Sequence, residues 1–110
     1  MQINTLAEKL GWKLLTECDG SDREACGCYC GDLLSWVMGN APADGAWMTI
    51  MSNVNVAAVA ALTDVACVIL TENVSPDEPL LARVKTQGIN LLGSGLSTYE
   101  CALQLGSLLK

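Results

Sequence analysis

The sequence predicts an α/β protein with three layers, in which helices cover both faces of a mostly parallel β-sheet. From residue 24 onward, strand-like and helix-like segments alternate, and right-handed crossovers between such strands make them parallel. The run Val65–Leu70 is continuously apolar and contains Val and Ile, which is typical of a strand buried on both faces. Two serine-led capping boxes, Ser75–Glu78 and Ser97–Glu100, predict helices after the last two strands.

The first third of the chain predicts a helix, two strands and a second helix. Asn4 or Thr5 can cap the first helix, and Gly11 can end it. Residues 18–22 form a polar, turn-rich segment that is short enough for a hairpin-like connection between the strands on either side. Asp32 is expected to cap the second helix. The predicted bounds are 12–16 and 24–30 for the two strands and 33–38 for the second helix.

The rest of the chain predicts three further strand–helix units. Pro76 suits the first helical position after Ser75, and Gly88 is expected to end that helix. The predicted bounds are 46–51, 65–70 and 89–92 for the strands, and 55–62, 76–88 and 97–109 for the helices. A chain of 110 residues lies within the usual size range of one domain, so we expect residues 1–110 to form a single domain.

One predicted helix is apolar on all sides. Between Val54 and Leu62 only Asn55 is polar, whereas a surface helix normally has a polar face. Either this alanine-rich helix is wedged deeply between its neighbours, or its outer face is buried against a second copy of the protein. In the second case a homodimer is the simplest assembly.

Aromatic volume is concentrated in three tryptophans, because the chain contains no phenylalanine. These are Trp12, Trp36 and Trp47. Their positions on predicted strand and helix faces favour core or interface roles over stacking with a nucleobase.

Charge and apolar length argue against a nucleic-acid-binding protein and against a secreted or membrane-spanning one. The six basic residues are scattered among twelve acidic ones, which gives a net charge of −6 and no basic surface for nucleic acid. The N-terminal segment lacks the basic and apolar parts of a signal peptide. The longest apolar stretch, Val56–Leu70, is interrupted by Thr63 and Asp64 and is shorter than the ~20 residues of a spanning helix. We therefore expect a cytoplasmic protein with no membrane span, whose cysteines are reduced.

Six cysteines raise the question of a metal or redox site. Three of them alternate along the predicted second strand and face one side, about 6.6 Å apart per step: Cys26, Cys28 and Cys30. This spacing suits neither a disulfide nor a tetrahedral zinc site, and Cys18 could join the group only if its loop folded back. Cys67 and Cys101 are expected to be small buried hydrophobic residues. Core packing is the favoured interpretation, with a metal or iron–sulfur site and redox sensing as alternatives.

The chain offers little for catalysis. It has no histidine, which excludes Ser-His and Cys-His nucleophilic pairs and imidazole metal ligands. Asp32 and Glu72 are better explained as a helix cap and an exposed loop acid. Residues 93–98 resemble the start of a dinucleotide fingerprint but lack its third glycine, and the chain has no P-loop lysine motif. We predict no catalytic residue, no metal ligand and no cofactor.

Small polar clusters follow the predicted parallel strands. The carboxyl ends of such strands meet at one edge of the sheet, where open α/β proteins bind ligands. No histidine, lysine or arginine belongs to these clusters. The candidate ligand-binding residues are Asp32, Thr49, Asn53, Asn55, Thr71, Ser94 and Ser97.

Taken together, several segments resemble the DRTGG domain family in order and spacing, over nearly the whole chain. They are residues 27–38 (GCYCGDLLSWVM), 47–50 (WMTI), 55–60 (NVAAVA), 66–70 (ACVIL) and 96–100 (LSTYE). The resemblance implies an α/β domain related to the N-terminal domains of HPr kinase/phosphorylase and of Mur ligases. Family members occur alone, or fused to CBS domains in regulated pyrophosphatases and in phosphotransacetylase-type enzymes, as regulatory or dimer-forming modules.

The residues that give the family its name are mostly absent. The family's Asp-Arg pair falls at Asn53-Val54, and its Thr-Gly-Gly falls at residues 71–73, where only Thr71 is kept. Loss of that arginine removes the evident partner for a phosphate group. The family usually has valines where Cys28 and Cys30 stand, which favours a packing role for both.

From these observations we expect a non-catalytic regulatory or ligand-sensing module that forms a homodimer. Its expected ligand is a small metabolite or a nucleotide, bound at the polar strand ends, and its expected partner is an enzyme. One alternative is a scaffold that only binds other proteins of an enzyme complex. Another is a metal or redox protein that uses Cys18, Cys26, Cys28 and Cys30.

Overall fold

The computed structural model describes residues 1–16 and 23–109. Its helices are α1 (Ile3–Leu10), α2 (Leu34–Asn40), α3 (Asn55–Thr63), α4 (Glu78–Gln87) and α5 (Thr98–Leu108). Its strands are β1 (Lys13–Leu14), β2 (Cys28–Cys30), β3 (Ala46–Thr49), β4 (Cys67–Leu70) and β5 (Leu91–Gly93).

The five strands form one sheet in the order β1-β5-β4-β3-β2. Strands β2 to β5 are parallel neighbours, and β1 pairs antiparallel with β5 at one edge. Because consecutive parallel strands lie side by side, right-handed crossovers place α2, α3 and α4 on one face. Helices α1 and α5 cover the other face. The predicted three-layer α/β fold is confirmed.

Each face of the sheet has its own apolar core. Adjacent residues of a strand point to opposite faces, so Trp47 of β3 packs under α2, α3 and α4, while Met48 packs under α1 and α5. All four residues of β3 and of β4 are buried, as expected for central strands of a covered parallel sheet.

The predicted hairpin between the first two strands is wrong. Strands β1 and β2 lie at opposite edges of the sheet, because Lys13 and Leu14 pair with Gly93 and Leu92 of β5. Residues 18–22 of the proposed connection lie outside the described residues. The second strand is also shorter than predicted, since Gly27 adopts a left-handed conformation (φ 89°) just before it.

The predicted N-caps of α1 and α4 are wrong. Helix α1 begins earlier than predicted, after Gln2, and the N–H of Ile3 donates to the carbonyl of Arg23 instead of to a side-chain cap. Helix α4 is capped by Asp77 and not by Ser75, because the Asp77 side chain accepts a hydrogen bond from Leu80 N at 2.9 Å. The predicted ends at Gly11 and Gly88 are confirmed, both with left-handed φ.

Ser97 is confirmed as the cap of the last helix, while the Glu100 carboxylate bonds its hydroxyl and not its backbone N–H. Ser97 Oγ accepts a hydrogen bond from Glu100 N at 3.1 Å and donates one to Glu100 Oε1, also at 3.1 Å. This reciprocal pair depends only on neighbouring residues, which is why the local sequence predicts it.

The apolar helix α3 is the middle helix of its layer. It packs between α2 and α4 and buries Val56, Ala57, Val59 and Ala60. Its remaining face is exposed, with Leu62 at 75%. Burial between neighbours therefore accounts for most of its apolar character.

The prediction of core packing holds for some cysteines only. Cys67 and Cys101 are fully buried, as predicted, and Cys28 is half-buried. Burial raises the pKa of the Cys67 thiol to about 12. Core packing is wrong for Cys26 and Cys30, which are exposed. Cys18 lies outside the described residues.

Within residues 1–16 and 23–109, no helix is both long enough and apolar enough to cross a bilayer.

Candidate functional site

The carboxyl ends of β2, β3, β4 and β5 form one edge of the sheet, here called the carboxyl edge. The seven predicted binding residues lie in or beside the loops that leave this edge. The structure divides them into a pair after β2 and β3, a group after β4 and β5, and three residues in local helix-start contacts.

Asp32 and Thr49 form the pair after β2 and β3. The Asp32 carboxylate accepts hydrogen bonds from Thr49 Oγ1 at 2.7 Å and from Ile50 N at 2.9 Å. The predicted role of Asp32 as the cap of α2 is wrong, because Leu33 occupies the N-cap position without a side-chain hydrogen bond. Two donors at the end of the neighbouring strand hold the carboxylate instead.

Three predicted residues make contacts that support helix starts. Asn53 Oδ1 accepts a hydrogen bond from Asn55 N at 3.0 Å, and Asn55 itself opens α3. Ser97 caps α5. The Asn53 carbonyl and the Ser97 hydroxyl accept hydrogen bonds from backbone N–H groups, and none of the three residues lines the cavity to which Ser94 belongs.

The connections after β4 and β5 leave the sheet in opposite directions. The chain passes from β4 to α4 on one face and from β5 to α5 on the other. Such a reversal opens a crevice outside the strand ends, which is where open α/β sheets bind ligands. Thr71 and Thr98 join the two connections through a contact of 2.6 Å between their hydroxyl oxygens.

The backbone beside this point adopts a costly conformation. Glu72 and Asn73 both have left-handed φ values, of 59° and 60°. Glu72 N donates to Leu96 O at 2.8 Å, and Asn73 N donates to Ser94 O at 3.0 Å. The Glu72 carboxylate also accepts from Thr98 N at 3.1 Å, at the start of α5. Non-glycine residues held in this way cost about 1–3 kcal/mol each and concentrate at functional sites.

A cavity of about 490 Å³ occupies this region. It is bounded by the loops after β4 and β5 and by the turn between α1 and β1, and we call it the crevice. Residues that line it include Trp12, Lys13, Asn73, Ser94 and Gly95. Its volume lies in the range of small-molecule sites. Of the seven predicted residues, only Ser94 lines it.

Sequence reasoning missed Lys13 and Trp12. Lys13 pairs with Gly93 in antiparallel register, which brings an ammonium group to a rim that had been expected to lack basic residues. Trp12 is buried, and its Nε1 has no hydrogen-bond acceptor among the described residues. Both residues could have been identified as crevice residues only if the pairing of β1 with β5 had been known.

The cysteines had raised the alternative of a metal centre. Over residues 1–16 and 23–109, no three His, Cys, Asp or Glu side chains are grouped so that they could hold a metal ion. Cys26 lies apart from Cys30, outside β2 and beyond the left-handed Gly27.

Comparison with known proteins gives a likeness to solved structures but no sequence match. No protein-family model matches the chain, and no curated protein matches it in sequence. A crystal structure of the CBS and DRTGG domains of the regulatory region of a Clostridium perfringens pyrophosphatase, complexed with the activator diadenosine tetraphosphate, superposes with a TM-score of 0.73 at 9% identity. The match covers 94% of this chain and 45% of that one. At this identity the likeness shows a shared fold, compatible with a DRTGG-like one, while membership of the DRTGG family stays a prediction.

Proposed function

We propose that residues 1–110 form a non-catalytic regulatory module that senses a small anionic ligand, of the nucleotide class, in the crevice. The observation that carries the proposal is the position of Lys13 at the reversal between β4 and β5. In this proposal the protein acts in the cytoplasm and transmits ligand binding to a partner enzyme.

The lining of the crevice favours a phosphate-bearing ligand. An ammonium group binds phosphate oxygens through charge-assisted hydrogen bonds. Asn73 and Ser94 add polar side chains, and the walls include apolar Leu10, Val74 and Leu96 against which a base or sugar can pack. Such a mixture of apolar walls and few polar groups is typical of ligand sites.

Two further observations favour regulation over catalysis. The chain has no histidine, and the Glu72 carboxylate beside the crevice is engaged by Thr98 N. The similar pyrophosphatase structure is described as a regulatory region complexed with a nucleotide activator. That description motivates the choice of adenine nucleotides as the first probes.

Calorimetric titration with AMP, ATP and diadenosine tetraphosphate tests the proposal. We expect at least one of them to bind, and adenosine, which lacks phosphate, to bind more weakly. Replacement of Lys13 with Gln should weaken binding about tenfold, the value of one charged hydrogen bond. Lys9→Gln is the matched control, because Lys9 is exposed on α1 and does not line the crevice.

Two results would contradict this function. One is the absence of any binding in this series and in a broader thermal-shift screen of phosphorylated metabolites. The other is a ligand whose affinity changes equally in the Lys13 and Lys9 variants, since the charge at the crevice would then have no particular role.

A second candidate function is protein interaction, beginning with a homodimer. An apolar patch formed by Leu33, Trp36 and Ile50 is exposed at 67%, 63% and 45%. Leu33 and Trp36 are three residues apart at the start of α2, and Ile50 N donates to Asp32 next to Leu33. No charged side chain lies on α2, and the exposed Asp32 carboxylate next to Leu33 would lie at the rim of such an interface.

Sedimentation equilibrium at micromolar concentration tests the dimer. The wild-type chain should be dimeric, and Trp36→Glu should be monomeric, because a carboxylate would be desolvated in the interface. Leu103→Glu is the control, since Leu103 is an exposed apolar residue on α5, on the other face of the sheet. A monomeric wild-type chain, or equal dissociation in both variants, would argue against an interface at the apolar patch.

A further inference from the structure

Strand β2 leaves one of its two sides unpaired at the edge of the sheet. It is the last strand in the order β1-β5-β4-β3-β2, and its only neighbour among the described residues is β3. The strand and its two flanking glycines read GCYCG, a sequence that carries no charge and is the same in both directions. Proteins usually protect an exposed strand edge with a charge, a proline or a covering segment. This strand has neither a charge nor a proline.

The hydrogen bonds of β2 show which of its backbone groups face outward. Gly27 O accepts a hydrogen bond from a β3 amide at 3.0 Å, and Gly31 N donates one to a β3 carbonyl at 3.1 Å. Alternate residues of a strand direct their backbone groups to the same neighbour, so Tyr29 also faces β3. The N–H and C=O groups of Cys28 and Cys30 therefore point to the free side of the strand.

We propose that the free side of β2 pairs with β2 of a second copy, antiparallel and across a two-fold axis at Tyr29. This inference rests on the second candidate function, the homodimer, and specifies how its two copies join. In this register Cys28 lies opposite Cys30 of the partner subunit. Two residues that face each other in this way exchange two hydrogen bonds, and the two-fold axis doubles them to four. The two copies then share one continuous sheet.

The palindrome favours a second copy over any other extended chain. A two-fold interface requires a surface that is complementary to itself. Here the axis places Gly27 opposite Gly31 of the partner subunit and Tyr29 opposite its own counterpart. The two tyrosines form a pair without backbone hydrogen bonds, in which opposite side chains lie closest and aromatic pairs stabilise the sheet. Tyr29 is half-buried under α2, so part of its ring remains available for this contact.

The flanking acidic residues do not oppose the pairing. Between Glu24 and Asp32 the chain carries no charge. In the proposed register Asp32 lies opposite Cys26 of the partner subunit, so the two Asp32 residues are about 20 Å apart, six residues at 3.3 Å each. Asp32 and Glu24 of the partner subunit come to the same end of the pair. Both residues are exposed there, so solvent and salt screen their repulsion.

The apolar patch extends the surface beyond the strand. Stable interfaces bury about 1,200–2,000 Å², which is more than a pair of three-residue strands can supply. Leu33 begins the patch two residues after Gly31, and Trp36 lies in the first turn of α2. Helix α2 and Tyr29 are on the same face of the sheet. An axis perpendicular to the sheet at Tyr29 therefore brings α2 of both copies to one face of the shared sheet, where the two patches adjoin.

Sedimentation equilibrium of Cys30→Pro, under reducing conditions on the full chain, tests the pairing. Proline removes the outward N–H, and each dimer loses two hydrogen bonds, so the dissociation constant should rise about a hundredfold or more. The monomer should keep its fold, because proline is tolerated on an edge strand where the N–H faces away from the sheet. Cys30→Ala is the matched control, since it removes the same thiol but keeps the N–H, and it should remain dimeric.

Amide hydrogen exchange of the wild-type chain gives a second measurement that needs no substitution. The Cys28 and Cys30 amides should exchange rapidly at concentrations where the chain is monomeric and slowly where it is dimeric. The Gly31 amide is the internal control, because it bonds Met48 O within the chain and should be protected at both concentrations.

The outcomes separate this inference from the homodimer itself. A wild-type chain that stays monomeric would overturn both. A wild-type dimer that Cys30→Pro leaves intact, or that Cys30→Ala weakens equally, would overturn the strand pairing while the homodimer stands. Rapid exchange of the Cys28 and Cys30 amides in the dimer would overturn the pairing as well. Circular dichroism shows whether Cys30→Pro is folded, and if it is not, the exchange measurement decides.

Discussion

Replacement of Trp47 with Ala should lower the free energy of unfolding by about 3–5 kcal/mol, the range for loss of a large buried aromatic side chain. Trp47 is fully buried between β3 and the helices of its face. Its Nε1 donates a hydrogen bond of 2.9 Å to the carbonyl of Gly31. The substitution therefore opens a cavity and leaves that carbonyl without its side-chain donor.

Trp36→Ala is the matched control for this prediction. Trp36 is 63% exposed, so its loss should change the stability of the monomer by no more than about 0.5 kcal/mol. Urea unfolding followed by circular dichroism, at concentrations low enough to keep the chain monomeric, measures both variants. Equal decreases in the free energy of unfolding would mean that Trp47 contributes no more to the stability of the core than the exposed Trp36 does.

Replacement of Asp32 with Ala should destabilise the protein by about 1–3 kcal/mol. The change removes the acceptor of hydrogen bonds from Thr49 Oγ1 and Ile50 N. Thr49 is only 1% exposed, so water cannot readily replace the carboxylate at its hydroxyl. Asp32→Asn keeps an acceptor oxygen and should cost less than Asp32→Ala.

A double-mutant cycle with Thr49→Val separates this role from helix capping. If the carboxylate joins β2 to β3, the two substitutions should be coupled by about 0.5–3 kcal/mol. Independent effects, with a coupling near zero in urea unfolding, would mean that the hydrogen bond from Thr49 Oγ1 to Asp32 adds no stability.

The features that the sequence predicts correctly are those fixed by neighbouring residues or by hydrophobic pattern. Ser97 and Glu100 satisfy each other within one helical turn, and the apolar run at β4 indicates a covered strand without reference to any partner. The three-layer arrangement then follows from strand–helix alternation and the handedness of crossovers.

The errors arise where a distant segment competes for a polar group. Asp32 is a good local cap, but its donors lie 17 and 18 residues away in the chain, at and just after the end of β3. Asp77 displaces Ser75 as the cap of α4, and its N–H donates to Ser52 O, in the loop after β3. Neither contact can be predicted without the relative positions of the strands.

Prediction of the candidate site is limited in the same way, by contacts between segments that are distant in the sequence. The carboxyl edge is predictable, because parallel strands share it, and Ser94 is among the residues expected there. Lys13 is not predictable, because its place depends on the pairing of β1 with β5 rather than with β2. This one pairing adds a basic residue to a rim that was expected to have none.

The pairing of the first strand with the last has a consequence for the newly made chain. Ribosomes release the N-terminus first, at roughly 5–20 residues per second, so Lys13 emerges seconds before Gly93 does. Beside the β1–β5 pair, Thr16 Oγ1 accepts a hydrogen bond from Leu91 N across a separation of 75 residues. Contacts this distant in sequence form late in folding. A ligand site in the crevice, as proposed above, would therefore be complete only after translation has passed β5.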